Sequence, residues 1–206
     1  MSKFYNYLNE GIDPYLEKIR RDCGYYLSLL DKNNIPTPFY RGLSDRQNFI
    51  HKKVRTDRIP KGTNIKAFKE INEYFEDKGH VRRDNSVIGT SHKKWAKLFG
   101  SPFMLFPIGK FDYSFVETID FNSLKTYKKI SQEARDFIKG EIPIYDDKIE
   151  KILAEIEGTI TTNKNIKLAY DNYFEIWFNC KEYYLFMAEN DFSGFDEKNI
   201  MSRLRG

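Results

Sequence analysis

Three short stretches of the sequence carry side chains whose types and positions could do chemistry. The first is Phe39-Tyr40-Arg41-Gly42-Leu43, which reads as a short strand ending in an arginine, with Gly42 as a break after it. A guanidinium is always charged and presents a planar fork, so at a strand end it suits bidentate phosphate binding. The same residue serves equally as an ordinary surface cation. The second stretch, Ser86-Val87-Ile88-Gly89-Thr90-Ser91, ends a strand in small hydroxyls and runs into a short helix over Lys93 to Phe99. Such hydroxyls can orient a ribose or hold a carboxylate. They can also form a turn and an N-cap for the helix near Lys93, and Ser91 suits both roles. The third is Tyr173 to Phe186, where Glu175 heads a strongly apolar strand pair. Alternation puts Glu175, Trp177 and Asn179 on one face and Phe174, Ile176 and Phe178 on the other. A carboxylate there is either an exposed sheet-face residue or part of a site.

Taken together and in this order, the three stretches resemble the arginine–serine–glutamate class of ADP-ribosyltransferases over most of residues 38–187. The resemblance implies an enzyme that cleaves NAD at the nicotinamide–ribose bond and transfers ADP-ribose to a macromolecular acceptor, protein or nucleic acid. It implies an α+β fold with a split mixed or antiparallel sheet core, flanking helices and an N-terminal helix, NAD lying in the cleft. Carried over residue by residue, Arg41, followed by Gly42, would hold the NAD phosphates or the adenine-side ribose. Thr90 or Ser91 would support the nicotinamide ribose and the glutamate. Glu175 would be catalytic, binding the 2′-hydroxyl of that ribose and stabilising positive charge as nicotinamide leaves. Tyr173 stands where arginine-modifying members usually carry a second glutamate, which weighs against arginine as the acceptor. The stretch VRTDRIPKGT (residues 54–63), with RRDNSVIGTS after it, also resembles small bacteriophage proteins of this general type. That likeness implies work in a host cytoplasm.

The chemistry suits these residue types. Breaking a nicotinamide–ribose bond develops an oxocarbenium-like cation, which an ionised carboxylate stabilises. The departing ring is already cationic in NAD, so no metal is called for. Other site classes lack their signatures. The sequence has no G-x-x-x-x-G-K-[ST] phosphate loop, no G-x-G-x-x-G fingerprint, no H-E-x-x-H and no G-x-S-x-G, and His51, His80 and His92 are scattered.

Composition sets the outer bounds. The chain has 206 residues, 40% hydrophobic and 31% charged, which fits one globular domain better than a disordered or membrane chain. No apolar run approaches the roughly 18 residues of a membrane span. The N-terminus lacks the basic-then-apolar pattern of a secretory signal. Cys23 and Cys180 are too few for a disulfide framework or a multi-cysteine zinc site, and a reducing, cytoplasmic setting is expected. Net charge is only +4, but His51 to Lys97 holds 13 Lys and Arg against 6 Asp and Glu. Such a local excess favours an anionic partner or is a solvated surface. It also carries the alternative function, a non-catalytic phage-type inhibitor or binding protein with a basic face against nucleic acid or an acidic protein.

The elements that must position these residues follow from periodicity and punctuation. Asp13 and Pro14 open a helix that Asn33-Asn34 and Pro36 close. Residues 43–62 read as an irregular basic segment broken by Pro60 and Gly62. Thr63 caps a helix that stops at Gly79. Apolar runs at Phe103–Phe106 and Tyr113–Val116 are strands, and residues 122–139 and 145–157 are helical. Tyr173–Phe178 and Glu182–Met187 read as two strands joined by a tight turn at Asn179-Cys180-Lys181. The expected organisation is a single domain over 1–190 with a loose or weakly docked tail over 191–206. Helices concentrated early and midway, with strands late, argue for α+β rather than a repeating βαβ wind.

Overall fold

The computed structural model describes residues 13–56, 58, 63–142, 146–188 and 197–206. The elements run α1 (Asp13–Asp22), α2 (Gly24–Lys32), β1 (Tyr40–Leu43), β2 (Phe49–Lys53), α3 (Ile65–Asp77), β3 (Val87–Gly89), α4 (Lys93–Lys97), β4 (Ser101–Pro107) and β5 (Asp112–Val116). A 3-10 helix (Phe121–Thr126) follows, then α5 (Gln132–Lys139), α6 (Asp146–Glu157), β6 (Ile160–Thr162), α7 (Ile166–Asp171), β7 (Ile176–Asn179), β8 (Glu182–Met187) and α8 (Glu197–Arg205). The fold is mixed α+β. Its strands form two antiparallel four-stranded sheets, ordered β1-β4-β8-β2 and β3-β7-β5-β6. Contacts divide the chain into two compact units, each discontinuous in sequence and each containing one sheet.

The first unit comprises Met1–Lys53, Ser91–Phe111 and Cys180–Gly206. The helix expected from Asp13 onward is two helices broken at Cys23. At the break Asp22 O accepts from Gly109 N–H at 2.9 Å, a bond from outside the helices. The Asp22 side chain is also held, accepting from Tyr184 O–H at 2.6 Å. Tyr26 anchors α2 by accepting from Phe39 N–H at 3.0 Å and setting its ring edge-on to Phe106. Within the basic segment expected to be irregular, Phe49–Lys53 is a strand paired to β8. It lies at a sheet edge with only Ile50 buried, so its pattern is polar and its pairing comes from the neighbour's backbone. Pro60 and Gly62 lie outside the described residues, as do residues 191–196. Glu197–Arg205 forms α8, which buries Ile200, Met201 and Leu204. Arg205 donates to Ile35 O at 2.7 Å and pairs with Asp31, and Arg203 pairs with Asp13.

The second unit comprises Val54–Thr90 and Asp112–Asn179. Its core gathers Phe75 from α3, Phe137 and Ile138 from α5, Ile156 from α6, and Trp177 from β7. The cap of α3 is Asn64, not Thr63: its side chain accepts from Lys66 N–H and Ala67 N–H. The helix expected over 122–139 is instead the 3-10 helix followed by α5, which Ser131 opens by accepting from Ala134 N–H and Gly140 closes at φ +77°. The strand pair expected around Asn179-Cys180-Lys181 is not a hairpin. β7 pairs with β3 and β5, whereas β8 pairs with β4 and β2, so the two consecutive strands belong to different sheets. β7 also begins later than expected, because Tyr173 sits at φ +61° and cannot continue an extended ladder.

Gly42 lies inside β1, opposite Pro102, and is required there by packing. A Cβ at this position would stand 1.9 Å from Ala96 O and 2.9 Å from Phe99 Cβ, so α4 rests directly on the strand backbone. Gly42→Ala should therefore cost at least about 2 kcal/mol by forced overpacking and lower Tm by several degrees. Gly24, at the start of α2, has nothing within 4 Å of its virtual Cβ. Gly24→Ala should leave Tm unchanged or slightly raised. Thermal unfolding of the two variants side by side checks the contrast.

Candidate functional site

The residues singled out by chemistry fall in both units. Thr90 and Glu175 belong to the second, and Arg41, Gly42 and Ser91 to the first.

In the second unit, β3 and β7 align so that Gly89 faces Ile176. Thr90 follows the one and Glu175 precedes the other, so both come to the same end of this ladder. Thr90 Oγ1 donates to Tyr173 O at 3.3 Å, tying the β3 end to the turn before β7. The Tyr173 side chain stands 46% exposed beside it.

Glu175 itself is buried, with 6% of its surface exposed. Arg83 Nε donates to its Oε1 at 2.8 Å, and Trp177 Nε1–H donates to the same oxygen at 2.6 Å. Phe121 N–H reaches Oε2 at 3.2 Å. Glu175 and Trp177 therefore share a face, as alternation requires. The backbone is fixed as well: Glu175 N–H donates to Thr118 O, and Glu175 O accepts from Val116 N–H.

Arg83 was not singled out in the sequence. It is placed by Asn72, a buried residue of α3 whose Oδ1 accepts from Arg83 N–H at 2.7 Å and whose Nδ2 donates to Phe68 O at 2.6 Å. The Arg83 guanidinium also lies over the Phe121 ring, 5.4 Å from its centroid. The neighbouring Arg82 is spent elsewhere, on Glu76 and Asp84. Burial alone would push the Glu175 carboxyl up. The charge and hydrogen bonds of Arg83, with the Trp177 donor, outweigh it and hold the carboxyl down at about 2. Glu175 is thus an ionised carboxylate inside the protein at neutral pH.

In the first unit, Arg41 is half-buried in β1 opposite Phe103, and Ser91 is buried just before α4. Gly42 is covered by α4, as its packing requires. The residue here that motif reading missed is Phe99. It follows α4, adjoins Gly42, and leaves its side chain 70% exposed. Its signal was the apolar pair Leu98-Phe99 before Gly100, a place where core and surface readings are equal by sequence.

Among the described residues, no group of three or more His, Cys, Asp or Glu side chains is placed to hold a metal ion. Likewise among them, no helix is long and apolar enough to cross a membrane. No protein-family model matches the chain, and no curated protein and no solved structure resembles it significantly.

The buried pair makes a stability statement. A carboxyl held below its ordinary value contributes stability that is complete above pH about 4.5 and is lost as pH falls toward 2. Acid titration of unfolding should show this loss, on the order of a few kcal/mol. Glu175→Gln and Arg83→Met should each be strongly destabilising, because each strands a buried partner. The double variant should cost clearly less than the two together. Additive costs in urea unfolding would show that the two charges do not depend on each other.

Proposed function

We propose that the protein is an NAD-dependent ADP-ribosyltransferase that passes ADP-ribose to a macromolecular acceptor, protein or nucleic acid. The observation that carries this reading is the grouping on β1: a phosphate-type arginine in the strand, then a glycine covered by α4, with the exposed Phe99 ring adjoining that glycine. NAD offers what such a grouping takes, an anionic pyrophosphate and flat rings that stack on an aromatic face. The split-sheet core implied by the resemblance is compatible with two antiparallel four-stranded sheets. The order of Arg41, Thr90-Ser91 and Glu175 along the chain supports it further.

In this reading Arg41 grips phosphate and Phe99 stacks a ring in the ground state. Thr90 and Ser91 support the nicotinamide ribose. The resemblance gives the ionised Glu175 the task of stabilising the cation that develops as the C1′–N bond breaks. The bonding pair leaves with nicotinamide, which departs neutral. A nucleophilic atom of the acceptor then bonds to C1′ and releases its proton to solvent.

A second reading has its own observation. Both Glu175 oxygens already accept hydrogen bonds from donors of their own unit. A carboxylate so engaged serves folding, and the protein is then a non-catalytic binding protein whose basic face meets nucleic acid or an acidic protein.

Nicotinamide release and the NAD-induced rise in Tm decide between them. A transferase releases nicotinamide, and NAD binding to the folded state raises Tm. Arg41→Ala and Phe99→Ala should each shrink that rise. Arg41→Lys should restore only part of it, since an ammonium cannot copy the planar fork. No Tm shift with NAD and no nicotinamide release would leave the binding-protein reading in its place.

A further inference from the structure

The surface around α4 combines exposed apolar side chains with exposed cations. Leu98 is 72% exposed and Trp95 37%, although both are large and apolar. Lys94 and Lys97, on the same short helix as Trp95 and just before Leu98, are also exposed. From Asn85 to Phe111 the chain contains four Lys and no Asp or Glu, so the segment is uniformly basic. Lys93 donates to Ala188 O at 2.8 Å and pairs with Glu197.

Trp95 is held in place. His92 caps α4 by accepting from Trp95 N–H, and the two rings lie 6.0 Å apart. The buried Ala96 packs its carbonyl over Gly42, fixing the helix on β1. An aromatic face beside the capping imidazole, with cations one residue before and two after it, is a combination that suits single strands. Bases stack on the ring while lysines follow the phosphates. An acidic protein would use the cations but gains little from a flat ring. A membrane-seated helix needs a longer apolar face than one five-residue helix supplies.

We propose that α4 docks single-stranded nucleic acid through Trp95 and Leu98, with Lys94 and Lys97 on its backbone. Its role as the ADP-ribose acceptor rests on the transferase reading. The docking itself does not. A base stacked on Trp95 lies about one helical turn from Phe99, which brings the acceptor strand beside the ring proposed to hold NAD.

The test uses the full chain, without NAD, and fluorescein-labelled oligo-dT and oligo-U. Trp177 is fully buried, so Trp95 is the tryptophan that a docked base can reach. Oligonucleotide binding should quench its emission. Trp95→Ala should weaken binding by at least about tenfold. Lys94→Gln with Lys97→Gln should make the dependence of log affinity on log salt shallower by about 1.4, the contribution of two cations to a single strand. Quenching of the wild-type protein is a readout that needs no variant, and Tm of each variant checks that it is folded. Three results would overturn the proposal: oligonucleotide binding without quenching, binding unaltered by Trp95→Ala, or polyglutamate or phosphatidylserine vesicles binding this surface in preference to the oligonucleotide. If quenching occurs but nicotinamide is never released, the docking surface stands and the transferase reading fails. If ADP-ribose from labelled NAD appears on the oligonucleotide, both stand.

Discussion

The second unit holds a buried charge pair on which its neighbouring elements converge, Arg83 with Glu175. Removing two ions from water costs several kcal/mol each, and their attraction repays this only when the geometry is good and the remaining valences are filled. Here two donors fill them, and two further sets of bonds fix the backbones of the pair. Trp177 comes from β7, Phe121 from the 3-10 helix, Asn72 from α3 fixes the Arg83 backbone, and the neighbouring strand ladder fixes that of Glu175. The pair therefore ties α3, the 3-10 helix and β7 to one another. A unit whose elements are short, with β3 and β6 only three residues each, gains unique placement from such a polar centre as well as energy.

Much of this was legible in the sequence where the signal is local. The apolar faces of α3 and α6 recur at helical spacing, and Phe103–Phe106 and Tyr113–Val116 are plain apolar runs; all four elements form where expected. The failures are of another kind. β2 carries His51, Lys52 and Lys53 and has no strand signal of its own; it is a strand because β8 offers it a ladder. The two strands at Asn179-Cys180 are correct as strands and misread as a hairpin. Sequence proximity and a short connection favour pairing, but β7 and β8 are each flanked on both sides by other strands. Which neighbour a strand takes is a property of the assembled sheet, and no window of sequence contains it.

The same division runs through the candidate residues of each unit. Glu175 was visible because a carboxylate in an apolar strand is conspicuous. Its partner was not: Arg83 is remote in sequence and lies in a run with Arg82, which looks identical and does something different. Only burial separates the two, and burial is set by Asn72 one turn after Phe68 on α3. Gly42 was noticed for its freedom to turn. Its use is the reverse, an ordinary strand position where any side chain would collide with the α4 backbone.

β6 shows how polar side chains substitute for missing burial. Ile160–Thr162 has no buried residue and sits at the sheet edge beside β5. Its Thr162 Oγ1 is 2.6 Å from Ser114 Oγ and 2.6 Å from His80 Nδ1, while His80 Nε2 reaches Glu157 at 3.1 Å. Ser114 Oγ already accepts from Val81 N–H at 2.9 Å. The order that satisfies every atom sends the Ser114 proton to Thr162 and the Thr162 proton to Nδ1, leaving Nε2–H to donate to Glu157. Tyr74 O–H completes the carboxylate from α3. A three-residue strand is thus pinned from α3, α6 and β5 by a single directional chain of hydrogen bonds. Such a chain has value only when every member is present, which is why neither Thr162 nor His80 announces it alone. The same reasoning separates this chain from Glu175: both are polar networks inside one small unit, but the chain closes on groups at the edge of a sheet, whereas the Arg83–Glu175 pair closes at the head of β7, beside the Thr90 hydroxyl and the exposed Tyr173 ring. That position, more than the charge itself, is what makes Glu175 the residue of this unit on which a chemical role can be argued.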